Sequence, residues 1–138
     1  VYPVISRRAG GLSVGVNLNP DGACNFHCVY CSVDRATPRE PAGVDLDRLR
    51  DELRDMLRAA VSGELFATGP LAATPETMRS VRDIAFSGDG EPTTCARFDD
   101  AVALAADAKR ELGLSETKLV LITNATVLDR AGVRRGLE

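Results

Sequence analysis

The chain has 138 residues, 44% hydrophobic and 27% charged, a balance that suits one globular domain with a core and excludes disordered and fibrous classes. Seventeen Lys and Arg against twenty Asp and Glu leave a net charge of −3, without the basic excess of a protein that tracks a phosphate backbone. Apolar runs such as Leu119-Val120-Leu121-Ile122 fall far short of the roughly 18 to 20 residues that cross a bilayer, and Val1-Tyr2-Pro3-Val4-Ile5 lacks the features of a signal peptide, so a cytoplasmic location without a membrane partner is expected.

From Leu12 to Leu18 apolar residues alternate with small or polar ones, the period-2 pattern of a strand, and Asn19-Pro20-Asp21-Gly22 ends it. Upstream, Arg7-Arg8 and Gly10-Gly11 read as the turn of a hairpin that pairs Pro3–Ser6 with this strand. Residues 44–62 set Leu46, Leu49, Leu53, Leu57, Ala60 and Val61 at spacings of three and four, between an N-cap at Asp45 and a stop at Gly63. On the outer face of this helix Asp51 with Arg54 and Asp55 with Arg58 are expected to pair. Thr74-Pro75-Glu76 can open a short helix through a hydroxyl cap with proline in the first turn.

Asp83–Ser87 is a second strand, broken by Gly88-Asp89-Gly90-Glu91-Pro92, and a helix over 97–112 lines Phe98, Ala101, Leu104, Ala105, Ala108 and Leu112 along one face, with Gly113 as its stop. Lys118–Thr123 reads as a parallel strand buried on both sides, ended by Asn124, and a further helix begins near Asp129. Strands alternating with helices imply α/β architecture on a parallel sheet, with ligands beyond the carboxyl ends of the strands. The chain begins with valine and its last residues form a barely started helix, so 1–138 is expected to be one domain truncated at its C-terminal side.

The most informative segment is Cys24-Asn25-Phe26-His27-Cys28-Val29-Tyr30-Cys31, a C-x3-C-x2-C loop directly after a strand. Three soft thiolates from so short a loop can wrap one metal centre, either zinc or an iron-sulfur cluster. In a 4Fe-4S cluster three cysteines leave one iron open to a small molecule. The bland readings are a Cys3His zinc site and buried cysteines packing as small hydrophobes. Cys95, near the start of the second helix, is expected to pack, and His27 to point away from the metal.

With Tyr30 as the aromatic residue before the third cysteine, this loop resembles the signature of the radical S-adenosylmethionine (SAM) superfamily. The resemblance covers residues 12–128 and implies a parallel-stranded, six-unit partial (β/α) barrel of which about the first three βα units are present. It implies that Cys24, Cys28 and Cys31 hold a 4Fe-4S cluster whose open iron is chelated by SAM, and that an electron from the cluster cleaves SAM to a 5'-deoxyadenosyl radical that abstracts hydrogen from a substrate. Tyr30 matches the position beside the adenine.

Gly88-Asp89-Gly90-Glu91-Pro92 is similar to the Gly-Gly-Glu motif that holds the amino group of SAM in the family. A glycine bend admits backbone carbonyls to a cationic amine and Glu91 adds an anion. Gly88, Gly90 and Glu91 are thereby implied as cofactor-binding, whereas Asp89 departs from the motif. Without the cysteine loop, an ordinary Asp-Gly turn would be the better reading. Thr123-Asn124-Ala125 is similar to the Thr-Asn-Gly often found after the third strand, which makes Asn124 a further candidate.

Asn17-Leu18-Asn19-Pro20 together with Ser87–Thr93 looks most like the branch that contains wyosine-type tRNA-modifying enzymes and many uncharacterised relatives, so the substrate stays open, with RNA one alternative that the resemblance offers. The family also implies a low-potential electron donor of flavodoxin or ferredoxin type. Two other classes stand beside this one: a non-catalytic iron-sulfur module for electron transfer or redox sensing, and a structural zinc domain. The substrate and the outcome after hydrogen abstraction are not written in these residues.

Overall fold

A computed structural model describes residues 1–37 and 39–138. Tyr2–Ser6 (β1) and Gly11–Val16 (β2) form the expected antiparallel hairpin, register Tyr2 to Gly15 through Ser6 to Gly11. Val81–Phe86 (β3) runs parallel to β2, and Lys118–Leu121 (β4) runs parallel to β3. The sheet has the order β1-β2-β3-β4. Among the described residues three α-helices complete the α/β chain, Leu46–Ser62 (α1), Phe98–Glu111 (α2) and Ala131–Leu137 (α3), each following one of the parallel strands.

Helix α1 begins where the Asp45 side chain accepts from the backbone N–H groups of Asp47 and Arg48, and ends where Gly63 takes the left-handed conformation at φ 83°. Its leucines at 49, 53 and 57 are buried with Leu12, Val14 and Val16 of β2, Ile84 and Phe86 of β3, and Phe98, Ala101, Ala105 and Ala108 of α2. Each fully buried side chain of the Leu, Ile, Val or Phe kind contributes about 1.5 to 3 kcal/mol through loss of apolar surface from water. Ala101, Ala105 and Ala108 of α2 are buried in this core, and the Phe86 and Phe98 rings meet edge to face with centroids 5.9 Å apart. No helix among the described residues is long and apolar enough to cross a membrane.

Several local expectations are corrected. Val61 is exposed, because it follows the last buried turn of α1. Arg54 reaches across to Glu111 of α2 at 2.7 Å instead of pairing with Asp51, which lies beside Arg50, while Asp55 and Arg58 do pair at 3.9 Å. The turn at Glu76–Met78 is 3-10, with Pro75 before it and no side-chain cap from Thr74. β4 is not buried on both sides: it ends the sheet, and Lys118 and Leu119 are exposed.

Candidate functional site

Parallel strands point their carboxyl ends the same way, so the segments leaving β2, β3 and β4 are brought to one end of the sheet. The first is long: among the described residues of 17–45 there is no helix or strand before α1, a length typical of functional loops. It opens with a turn in which Gly22 N–H donates to the Asn19 carbonyl at 2.8 Å. Later residues fasten that turn: Arg35 donates to the Gly22 carbonyl, and Ala42 N–H donates to Asp21 Oδ2 at 3.3 Å. Hydrogen bonds from Ala23 and Ala42 outweigh the opposing effect of burial and hold the Asp21 carboxyl below its ordinary range.

Cys24, Cys28 and Cys31 follow on irregular backbone as free thiols, the first two half-buried and the third exposed. Cys31 N–H donates to the Cys28 carbonyl at 3.0 Å, placing these two on one tight turn. A hydrogen bond from the Val33 backbone, then the Arg35 guanidinium 3.7 Å from Cys31 Sγ, lower the Cys31 thiol toward the thiolate form. Tyr30 stands out from the loop, 84% exposed, and a hydrogen bond with the Cys28 side chain raises its hydroxyl above the ordinary 10.0. His27 and Phe26 are also exposed. Among the described residues no three His, Cys, Asp or Glu side chains converge on one point as they stand.

The donor set nevertheless suits a thiolate-held metal centre. Three free thiols lie within eight residues, none committed to a disulfide, and the backbone between them need break no helix or strand to close on an ion or cluster. Cys95 sits apart, half-buried against the core, with its thiol raised by burial.

The second segment, after β3, packs directly beneath the first. A Cβ on Gly90 would lie 2.0 Å from the Ala23 carbonyl oxygen and 2.5 Å from Asn19 Cβ, so only glycine permits this approach, and Glu91 N–H donates to the same Ala23 carbonyl at 3.2 Å. A Cβ on Gly88 would lie 2.5 Å from the Asn17 side chain, a less severe approach because that side chain can move. Asp89, the departure from the motif, is held by Arg39 at 3.0 Å and by Asn17 Nδ2 at 3.3 Å, so its carboxylate ties the far part of the cysteine loop to the glycine bend.

Glu91 is 3% exposed. Its Oε1 accepts from Thr93 N–H, the Thr93 hydroxyl and the Thr123 hydroxyl, and its Oε2 accepts from Asn124 N–H at 2.7 Å. Burial pushes this carboxyl upward, but the four donors outweigh it and the group sits below its ordinary 4.5. The carboxylate expected to face a ligand amine is therefore directed inward, joining the segments after β3 and β4. Thr93 and Thr123 were not among the candidates. A threonine two residues from a buried acid was the available signal for the first, whereas the second depends on strand register.

The third segment, after β4, brings Asn124 to the cysteine loop. Asn124 Nδ2 donates to Asn25 Oδ1 at 2.8 Å, and Asn25 Nδ2 donates to Thr126 Oγ1 at 2.7 Å. Between them Ala125 takes φ 64°, the left-handed region that a glycine would occupy without strain. The site thus gathers Cys24, Cys28, Cys31, Tyr30, Gly88, Gly90, Glu91 and Asn124 at one end of the sheet, with Asn17, Asn25, Arg39 and Thr126 as unanticipated supports.

No family model matches the chain, and no solved structure matches it. It is 22% identical over 135 residues to GTPase Obg of Brachyspira hyodysenteriae, a match covering 98% of this chain and 17% of that protein. It is 49% identical over 39 residues to a UPF0026 protein in two strains of Helicobacter pylori, covering 28% of this chain and 12% of the relative. The chain thus spans less than a fifth of the length of these curated relatives. Neither likeness assigns it to a family.

Proposed function

We propose that the chain is the first half of a radical SAM core domain of partial (β/α) barrel type, in which Cys24, Cys28 and Cys31 hold a 4Fe-4S cluster and the segment Gly88–Glu91 borders SAM. The observation that supports this best is the meeting of three motif-bearing segments at the carboxyl ends of adjacent parallel strands, with Gly90 against Ala23 and Glu91 against Asn124. When bound, the cluster would supply the electron that cleaves SAM to a 5'-deoxyadenosyl radical.

This chain's residues would hold and orient. The three thiolates are the ligands, and the Val33 backbone and the Arg35 guanidinium beside Cys31 shift that thiol toward its ligating form. Gly88 and Gly90 let the bend lie close against Asn17 and Ala23, its backbone carbonyls would serve a cationic amine, and the inward Glu91 carboxylate fixes that bend from below. Tyr30, exposed on the loop, would present its ring to an adenine face. The proposed setting is cytoplasmic, with a flavodoxin- or ferredoxin-type donor and an unidentified substrate, for which RNA is the alternative that the wyosine-like motifs offer.

One observation favours a second reading. A Glu91 already satisfied by four protein donors is not required for a ligand, as in a non-catalytic iron-sulfur module. A phosphate-binding role on the strength of the Obg likeness lacks its residues, since a P-loop needs Gly-Lys and the lysines here follow Ala108 and Thr117.

Electron paramagnetic resonance of the anaerobically reconstituted, dithionite-reduced protein, with and without SAM, tests the proposal. The expected outcome is a 4Fe-4S signal that changes on adding SAM. A signal indifferent to SAM would favour the electron-transfer module, and one zinc per chain in place of a cluster would overturn both.

A further inference from the structure

Asn25, Asn124 and Thr126 form a closed ring of side chains between two segments about a hundred residues apart in sequence. Asn25 Nδ2 donates to Thr126 Oγ1 at 2.7 Å, Thr126 Oγ1 donates to Asn124 Oδ1 at 2.7 Å, and Asn124 Nδ2 donates to Asn25 Oδ1 at 2.8 Å. Each side chain donates once and accepts once within the ring, so all three directions are mutually consistent. Asn25 lies in the sequence directly after Cys24.

The ring stands on a rigid base. Asn124 N–H donates to buried Glu91 at 2.7 Å, the Thr123 hydroxyl donates to the same carboxylate at 2.6 Å, and Thr126 N–H donates to Asn124 Oδ1 at 3.1 Å. Ala125, between the two ring members, is held at φ 64°, a conformation that alanine adopts only when its surroundings over-determine it. The strain lies where the segment must turn Asn124 and Thr126 together toward Asn25.

We propose that this ring is a positioning clasp: Asn124 and Thr126 act through Asn25 to set the path of the Cys24–Cys28 segment above the strand ends. It assigns Asn124 to holding the loop, in place of direct cofactor contact. The clasp rests on the proposed cluster site only for its consequence, the environment of the bound cluster. Its geometry is a property of the chain itself. Because all three side chains are solvent-accessible, the ring adds little to global stability but controls local opening of the loop it holds.

The test compares Asn25→Ala, Thr126→Val and Thr126→Ser with the parent protein. Amide hydrogen exchange of residues 23–31 in the metal-free protein is expected to rise about fivefold or more in Asn25→Ala and Thr126→Val, with Tm nearly unchanged and with Thr126→Ser restoring protection. After anaerobic reconstitution with iron and sulfide, the cluster's reduction potential and resonance g-values are expected to shift in Thr126→Val and return in Thr126→Ser. Unchanged exchange, a fall in Tm with exchange rising throughout the chain, or spectra identical between parent and Thr126→Val would each overturn the clasp. A parent protein that takes up no cluster would defeat the proposed function instead, and exchange alone would then decide the clasp.

Discussion

At the scale of single residues, Ala125 carries the clearest consequence. A left-handed φ of 64° costs an L-residue with a Cβ about 1 to 2 kcal/mol, and glycine avoids that cost while losing some backbone entropy on folding. Ala125→Gly is therefore expected to stabilise the chain by about 0.5 to 1 kcal/mol, read as a higher urea midpoint at unchanged m. A lower midpoint would mean that the turn gains nothing from relief at this position. The sequence already hinted at this turn through the similarity of Thr123-Asn124-Ala125 to a Thr-Asn-Gly motif. It could not show which way the Asn124 side chain points, because Asn25 and Thr126 reach it only after the sheet has assembled. The cysteines were legible for the opposite reason, since their spacing is local chemistry. The crowding at Gly90 was legible only as a bend, because Ala23 and Asn19 approach it from another segment.

At the scale of elements, helix ends were readable and their partners were not. Asp45 and Gly63 bound α1 through bonds made within a turn of the residues concerned, and the spacing of its leucines fixes the buried face. The Arg54 bond to Glu111 depends on where α2 comes to rest. The same limit hid the role of Glu91, which joins the segments after β3 and β4 through the register that places Phe86 beside Leu121. Replacing it by glutamine sets an amide N–H2 against donors and is expected to cost about 1 to 3 kcal/mol. Because folding lowers this carboxyl below its ordinary 4.5, its contribution is complete above that pH and is lost as pH falls through the lower folded value. Urea unfolding from pH 7 to pH 3 should therefore show the stability gap between parent and Glu91→Gln narrowing in acid. A gap constant across that range would refute the ionised, hydrogen-bonded state of Glu91.

At the scale of the whole molecule, three parallel strands deliver three segments to one end, while the same order leaves β4 as the last strand of the sheet. The alternation of strand and helix made the first consequence legible. The continuous apolar run of β4 reads as a strand buried on both sides, and the strand order is what places it at the edge. Leu119 and Ile122 are 36% and 50% exposed, and Leu137 of α3 is 53% exposed across the groove lined by Val102, Ala106 and Leu121. An apolar strand at a sheet edge presents both unpaired backbone groups and hydrophobic surface, and the two favour pairing with another chain. The 138-residue chain is accordingly expected to self-associate with rising concentration in sedimentation velocity. A charge at the edge should oppose this, because pairing would require its desolvation: Ile122→Lys is expected to shift the distribution toward monomer without lowering the urea midpoint by more than about 1 kcal/mol equivalent. A parent chain that stays monodisperse and melts cooperatively as a monomer would show that the twist of the short β4 strand is enough to protect this edge.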